Sequence, residues 1–343
     1  MDQRADMNHL ERLAATIKFK KTDRPPVAGP VFGHAAHLSG LPLHKYLQSG
    51  RLLAEAQIRA YKHYGYDITF AFFDVNVETE AMGAVLHFRD HDYPYIKQEA
   101  LSPDTDFSGL VLPDFSHAGR IPELLEGVRL LRAEFADSLP VAGLVLGPFN
   151  LACQLIGMEN TLYLAVDNPE AFTGLLDFAT EFCIAYGIAQ IKAGVHLPIV
   201  FDVSASPEII PVAFFREFEL PRLRSVFKRF KAAGAIAGWL FMTGDIKPIL
   251  HYFPRIGVDI ANFDYCVPPD AVKQSLTYTC VNGNIKPLLF EYGTPEDIDR
   301  AARELLTEFS RRKGFILSAG CEIPLRARPD TIQALVNAAF ESC

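Results

Sequence analysis

From residue 50 onward the chain repeats one pattern: a short apolar run of strand length, a longer stretch with helical spacing, then another short run. Few folds accept that pattern, because successive strands joined through a helix lie parallel, and a parallel sheet needs helices to cover it. The apolar runs fall at 67–73, 139–146, 197–201, 235–241, 257–263, 278–282 and 314–317, and helical stretches at 160–164, 169–193, 211–233, 269–276 and 294–312. Some of the helical stretches open on a capping side chain followed at once by proline, as in Asn168-Pro169 and Thr294-Pro295. Seven runs, with an eighth expected within 84–120, predict an α/β chain folded as a (β/α)8 barrel of the TIM type. An open dinucleotide-binding sheet would want G-x-G-x-x-G after an early strand, and none is present.

Residues 8–20 place Leu10, Leu13, Ala14 and Ile17 on one helical face, and Pro25-Pro26 then stop the helix and start an extended segment. The 343 residues fit one large barrel, and no solenoid period, low-complexity tract or Gly/Ser linker divides them. One domain over 1–343 is expected, with 1–60 as an N-terminal helical extension packed on the barrel. Hydrophobic residues make up 49% of the chain against 22% charged, enough for a sizeable core. The net charge of −8 offers no footprint for nucleic acid or an anionic membrane. Six cysteines, Cys153, Cys183, Cys266, Cys280, Cys321 and Cys343, lie far apart without a C-x-x-C, so reduced thiols are expected, with Cys343 inconsequential. The first 21 residues carry charge every few positions and no apolar stretch, which points to a cytoplasmic protein.

In such a barrel the active site is built at the C-terminal ends of the strands. The residues just past the apolar runs are polar and small: Asp74; Asn150 in Gly147-Pro148-Phe149-Asn150; Asp202 with Ser204 and Ser206; Thr243-Gly244-Asp245; Asp264 with Cys266; Asn284 after Asn282-Gly283; and Gly320-Cys321-Glu322. Any one of them is explained as well by a turn or a helix cap, but seven on one face point to a ligand site. Asp74, Asp202 and Asp264 are candidates for acid or base work, and Asn150, Ser204, Thr243 and Asn284 for holding a ligand by hydrogen bonds. Cys153, Cys183 and Cys280 sit in apolar surroundings and read as buried thiols, and Trp239 reads as core. Tyr93 and Tyr95, beside Pro94 and His91, form a loop that either closes over the site or lies on the surface.

These residues resemble the uroporphyrinogen decarboxylase superfamily, and within it the methylcobamide:coenzyme M methyltransferase branch. The likeness runs from Glu11-Arg12-Leu13 and Asp23-Arg24-Pro25-Pro26, through Phe73-Asp74 with Glu80-Ala81-Met82-Gly83, to Gly147-Pro148-Phe149-Asn150, Asp202-Val203-Ser204, Gly283-Asn284-Ile285-Lys286-Pro287 and Ser318-Ala319-Gly320-Cys321-Glu322. It implies a distorted (β/α)8 barrel and places Glu80 near the site, either lining it or pairing with an arginine. The decarboxylases clamp a tetrapyrrole's carboxylates with N-terminal arginines, a task suited to bidentate guanidinium geometry. The matching stretch here, Val31-Phe32-Gly33-His34-Ala35-Ala36-His37, has none.

The methyltransferase branch holds a thiol on zinc through a His-x-Cys pair and one distant Cys. Cys321 matches the distant ligand, but the pair is replaced by Phe241-Met242-Thr243, so no complete zinc site is expected. The resemblance then implies an enzyme that moves a methyl group from a methylcobamide, free or on a corrinoid protein, to a small acceptor. Tetrahydrofolate or another non-thiol suits it, since a neutral amine needs no metal to expose its lone pair. Tetrapyrrole decarboxylation and non-catalytic corrinoid binding are the alternatives, and a homodimer is compatible with the family.

Overall fold

The computed structural model describes residues 7–341, and Cys343 lies outside them. In chain order the strands are β1 (Val27–Ala28), β2 (Thr69–Ala71), β3 (Val85–His87), β4 (Tyr95–Gln98), β5 (Val141–Leu146), β6 (Leu197–Phe201), β7 (Trp239–Phe241), β8 (Ile260–Asn262), β9 (Cys280–Ile285) and β10 (Phe315–Ala319). Eight of them form one parallel sheet in the order β1-β10-β9-β8-β7-β6-β5-β2, while β3 and β4 make a separate antiparallel pair. The fold is a nearly closed TIM barrel. Period-two alternation divides its side chains: Phe70, Leu144, Ile199, Trp239, Phe241, Ile260, Cys280 and Ile316 pack together inside, while Leu240, Ala261, Val281 and Leu317 meet the surrounding helices.

The ring closes between β1 and β2 through one buried carboxylate. Asp67 N–H donates to Val27 O at 2.8 Å, and Val27 N–H donates to Asp67 Oδ2 at 2.7 Å. Arg24 grips both Asp67 oxygens, at 2.6 and 2.9 Å, and Arg12 reaches Oδ1 at 2.8 Å from the helix His9–Ile17. That helix begins on a capping box of Asn8 and Glu11. The Asp-Arg-x-Pro segment is therefore a clamp at the N-terminal end of the barrel, remote from the strand ends that carry the site.

Three expectations are corrected. Residues 84–120 hold no barrel strand; they hold the β3–β4 hairpin, whose Val85, His87, Tyr95 and Lys97 face solvent. The eighth strand is β1, inside the segment expected as an extension, and its two residues between Pro26 and Gly29-Pro30 are too few to show a period. The helix expected over 211–233 is also not continuous: Val212–Phe214 runs into a π-turn, Phe215–Glu219, before Leu220–Ala232. Pro221 has no N–H to return to the preceding turn, which widens there. The helix Pro169–Ala193 has the length and apolarity of a membrane span, yet most of that stretch is buried inside the fold.

Candidate active site at the barrel mouth

Past β2, Asp74 is buried and fully engaged. Arg120 donates to Asp74 Oδ2 at 2.6 Å and Oδ1 at 3.2 Å, and Asn76 N–H donates to Oδ1 at 2.9 Å. The same guanidinium uses Nε on Glu80 Oε2 at 2.6 Å and Nη1 on the Leu47 carbonyl at 2.9 Å. Asp74 and Glu80 thus meet on one arginine, and Glu80 takes the arginine-pairing role left open above. Glu78, on the same short helix Val77–Ala81, turns the other way and accepts from Leu146 N–H at the end of β5, at 2.8 Å. Burial, with Asp74 nearby, pushes its carboxyl up to about 8 despite that bond, so it is protonated at neutral pH.

Between β5 and β6 the polar groups interlock. Ser204 Oγ donates to Asn150 Oδ1 at 2.5 Å, and Asn150 N–H donates to Asp202 Oδ1 at 2.9 Å. Asp202 lies against the backbone of Gly147, where a Cβ would come within 2.3 Å of its carboxyl, so only glycine fits. Its other oxygen has no hydrogen-bond donor, and burial lifts the group above the ordinary carboxylate range. Facing it is Glu219, also wholly buried, whose two oxygens have no donor and whose pKa is raised well above the carboxylate range by burial and by Asp202.

Past β7 and β8, Thr243 is half-buried, and Gly244 N–H donates to Asp264 Oδ2 at 3.0 Å. Asp264 Oδ1 is buried without a donor, while its backbone carbonyl accepts from Asn284 Nδ2 at 3.0 Å. Asn262 spans the mouth floor, donating to Gly320 O at 2.9 Å, and Asn282 beside it in register has both amide atoms unpaired. Beneath lie aromatic rings: Phe201 and Phe241 with centroids 5.4 Å apart, and Phe32 and Phe72 at 4.9 Å. A cleft of about 440 Å³ reaches Asn284 and Lys286 from the side.

At the end of β10, Glu322 accepts a short hydrogen bond from Tyr93, whose hydroxyl in turn accepts from Gly33 N–H at 2.9 Å. Asn76 Nδ2 donates to the carbonyl of Pro94 at 2.9 Å. The β3–β4 turn is thereby pinned to loops after β1, β2 and β10 and folds over that sector of the mouth. Burial lifts Glu322 to about 7. His34 contributes no charge: it is enclosed between Tyr64 and the Leu325 carbonyl, and burial lowers it to about 4.

The residues present do not fit zinc. Phe241 belongs to the barrel interior, Met242 to the outer core, and Thr243 is the one polar side chain of the three. Cys321 is the one thiol of the expected ligand set that is present. Among the described residues no three or more His, Cys, Asp or Glu are grouped to hold a metal ion.

Asn150, Asp202 and Ser204 form one cluster, Asp264, Asn284 and the Thr243 loop a second, and Asp74 with Glu80 a third around Arg120. Sequence reasoning missed Arg120, Glu78, Glu219 and the Tyr93–Glu322 pair. Glu219 carried a signal: it sits on the apolar stripe of Phe215, Leu223 and Phe227, where an acid is out of place. Arg120, in a loop 46 residues from Asp74, carried none.

A profile of the uroporphyrinogen decarboxylase family (URO-D) matches residues 8–342. The methylated-thiol–coenzyme M methyltransferase of Methanosarcina mazei is 26% identical over 344 residues, covering 98% of this chain and 90% of that protein. The uroporphyrinogen decarboxylase of Xylella fastidiosa is likewise 26% identical, over 350 residues, covering 96% and 97%. Among solved structures, a methyltransferase from Methanosarcina mazei superposes with a TM-score of 0.89 at 23% identity, over 98% of this chain and 99% of that one. A B12-independent methionine synthase from Shewanella sp. W3-18-1 follows the same fold with a TM-score of 0.60 at 12% identity, over 84% and 86%.

Proposed function

The chain belongs to the uroporphyrinogen decarboxylase family, whose members are enzymes, and from that premise we propose that it moves a methyl group from a methylcobamide to a small neutral nucleophile, with tetrahydrofolate as the type of acceptor. The carrying observation is the character of the mouth. Its buried guanidinium, Arg120, is spent on Asp74, Glu80 and a carbonyl, while desolvation raises the carboxyls of Glu78, Asp202 and Glu322 above the ordinary carboxylate range. Such acids take up and release a proton nearer neutral pH than ordinary carboxylates, and the buried guanidinium is not free to clamp a polycarboxylate, which disfavours tetrapyrrole decarboxylation.

A methylcobamide supplies the methyl as an electrophile, and the protein's share is to orient the acceptor and handle its proton. Asn150 with Ser204 on one side, and Asn284 with Asp264 on the other, hold the acceptor by hydrogen bonds. The aromatic floor of Phe72, Phe201 and Phe241 suits a flat, weakly polar body. Asp74 is the positioning partner of Arg120 rather than a free acid or base, and Asp202, with an unpaired oxygen, is the better base.

The test is anaerobic incubation of the purified protein with methylcobalamin and either tetrahydrofolate or coenzyme M, each with and without zinc, while the visible spectrum reports loss of the methyl–cobalt bond. Demethylation with tetrahydrofolate, indifferent to zinc, is the expected result. Zinc-dependent transfer to the thiol, or consumption of uroporphyrinogen by the same preparation, contradicts it.

A further inference from the structure

We infer that Glu219 and Asp202 share a single proton, and that this carboxyl pair is the store for the proton released when the acceptor is methylated. The second half rests on the function proposed above; the first does not.

Three local departures from ordinary construction converge on the pair. Both side chains have no solvent exposure, and of their four oxygens three, Asp202 Oδ2 and both of Glu219, have no hydrogen-bond donor. Glu219 is delivered by the π-turn Phe215–Glu219, the kind of widened turn found at functional sites. Gly147 leaves out the Cβ that would occupy Asp202's place. Two ionised carboxylates in contact in a dry interior would repel each other with no compensating partner, so one proton must be held between them. Burial of both groups acts in the same direction.

One positive charge nearby works against that proton, and burial together with the mutual repulsion of the pair outweighs it. Arg222 is the nearby cation, and its Nη atoms are committed to Phe218 O at 2.7 Å and Asp177 Oδ1 at 2.6 Å. Cys153 and Cys183 pack close by as neutral thiols, their pKa values raised by burial. From the helix Pro148–Ile156, the Asn150 N–H donates to Asp202 Oδ1 at 2.9 Å and stabilises the pair's one remaining negative charge.

The proton balance follows. When a secondary amine attacks the methyl carbon, the nitrogen–carbon bond forms with the amine's lone pair and the cobalt–carbon pair stays with cobalt. The nitrogen then carries one positive charge and its original proton. The pair, holding one proton and one negative charge, accepts the second and becomes neutral, and returns it to solvent after the product leaves. An acceptor already ionised as a thiolate has no such proton to lose, so the store serves acceptors that keep a proton on the attacking atom, a neutral amine or an un-ionised thiol. Glu219 acts through Asp202 and is a positioning residue.

Infrared spectroscopy in D2O at neutral pH tests the pair without any substrate. The wild type is expected to show the carbonyl band of a protonated carboxyl that Glu219→Gln lacks, and Glu78→Gln, which removes a different buried acid, serves as control by retaining it. An unchanged band in Glu219→Gln overturns the shared proton. For the role, Glu219→Gln is expected to lower methyl transfer to tetrahydrofolate roughly 10- to 100-fold, with the acid limb of its pH profile displaced and the acceptor's KM little changed. Glu219→Asp is expected to recover part of the rate. A pH profile identical to wild type overturns the role, whereas a lost band in a protein that transfers no methyl at all leaves the pair standing and removes the proposed function.

Discussion

Asp67 and Asp202 are both fully buried carboxylates, and their surroundings send them in opposite directions. Asp67 is met by His9, Arg12, Arg24 and the Val27 N–H, which hold it down to about 2 against its burial. Its folded value lies below the ordinary 3.8, so its stabilisation is complete above about pH 4 and is lost as the pH falls through about 2. Asp67→Asn strands the buried Arg24 and takes one partner from Arg12, which keeps Asp23, and is expected to cost about 3–5 kcal/mol in urea unfolding at pH 7. Glu78 has the reverse sign. Its folded value of about 8 lies above the ordinary 4.5, so its penalty is absent in acid, grows as the pH rises and is complete above about 8. Glu78→Gln keeps the acceptor for Leu146 N–H and is expected to raise stability by about 1–2 kcal/mol at pH 8, with the gain shrinking toward pH 4. A gain that does not change with pH contradicts the protonated Glu78. Polar residues after apolar runs, such as Asp202 and Asn150, were legible from their position alone; what each carboxylate pairs with was not, because Arg120 and Glu219 approach from distant segments.

At the scale of elements, five helices and seven of the eight barrel strands follow from local signals, with the helix Pro169–Ala193 and β6 matching the sequence expectation at both ends, while the helices Gly50–Tyr64, Ile121–Phe135, Pro148–Ile156 and Pro329–Phe340 lie outside that expectation. β1 escaped because two residues carry no period, and its place is set by Asp67 and by pairing with β10, both remote in sequence. The π-turn escaped because an apolar stripe looks the same on either side of an inserted residue. The β3–β4 hairpin is the element whose position depends on few bonds, those of Tyr93 to Gly33 and Glu322 and of Asn76 to Pro94. Tyr93→Phe removes two of them and is expected to speed hydrogen exchange across 85–98 while costing about 1 kcal/mol of overall stability. Unchanged exchange there means that Tyr93 does not hold the hairpin over the mouth. Gly147→Ala puts a methyl into Asp202's carboxyl and is expected to cost about 1–3 kcal/mol and to disturb the pair with Glu219.

For the whole molecule, the alternation that selects a parallel barrel also selects where its chemistry sits, since only the C-terminal strand ends gather loops from every unit. The N-terminal end is devoted to closure through Asp67, and the opposite end to buried acids, amides and aromatic rings, with the buried Arg120 committed to Asp74 and Glu80. Relatives that bear the names of methyltransferases and of decarboxylases are equally distant from this chain, so the difference in chemistry must be read from the mouth itself. The most direct measurement offers the protein methylcobalamin labelled with ¹³C in its methyl group, with tetrahydrofolate and coenzyme M competing in one anaerobic mixture, and identifies the labelled product with zinc chelated and with zinc supplied. Label in the N-methyl product at the same rate under both conditions is the predicted result. Label in the thioether alone, appearing only when zinc is supplied, contradicts the account.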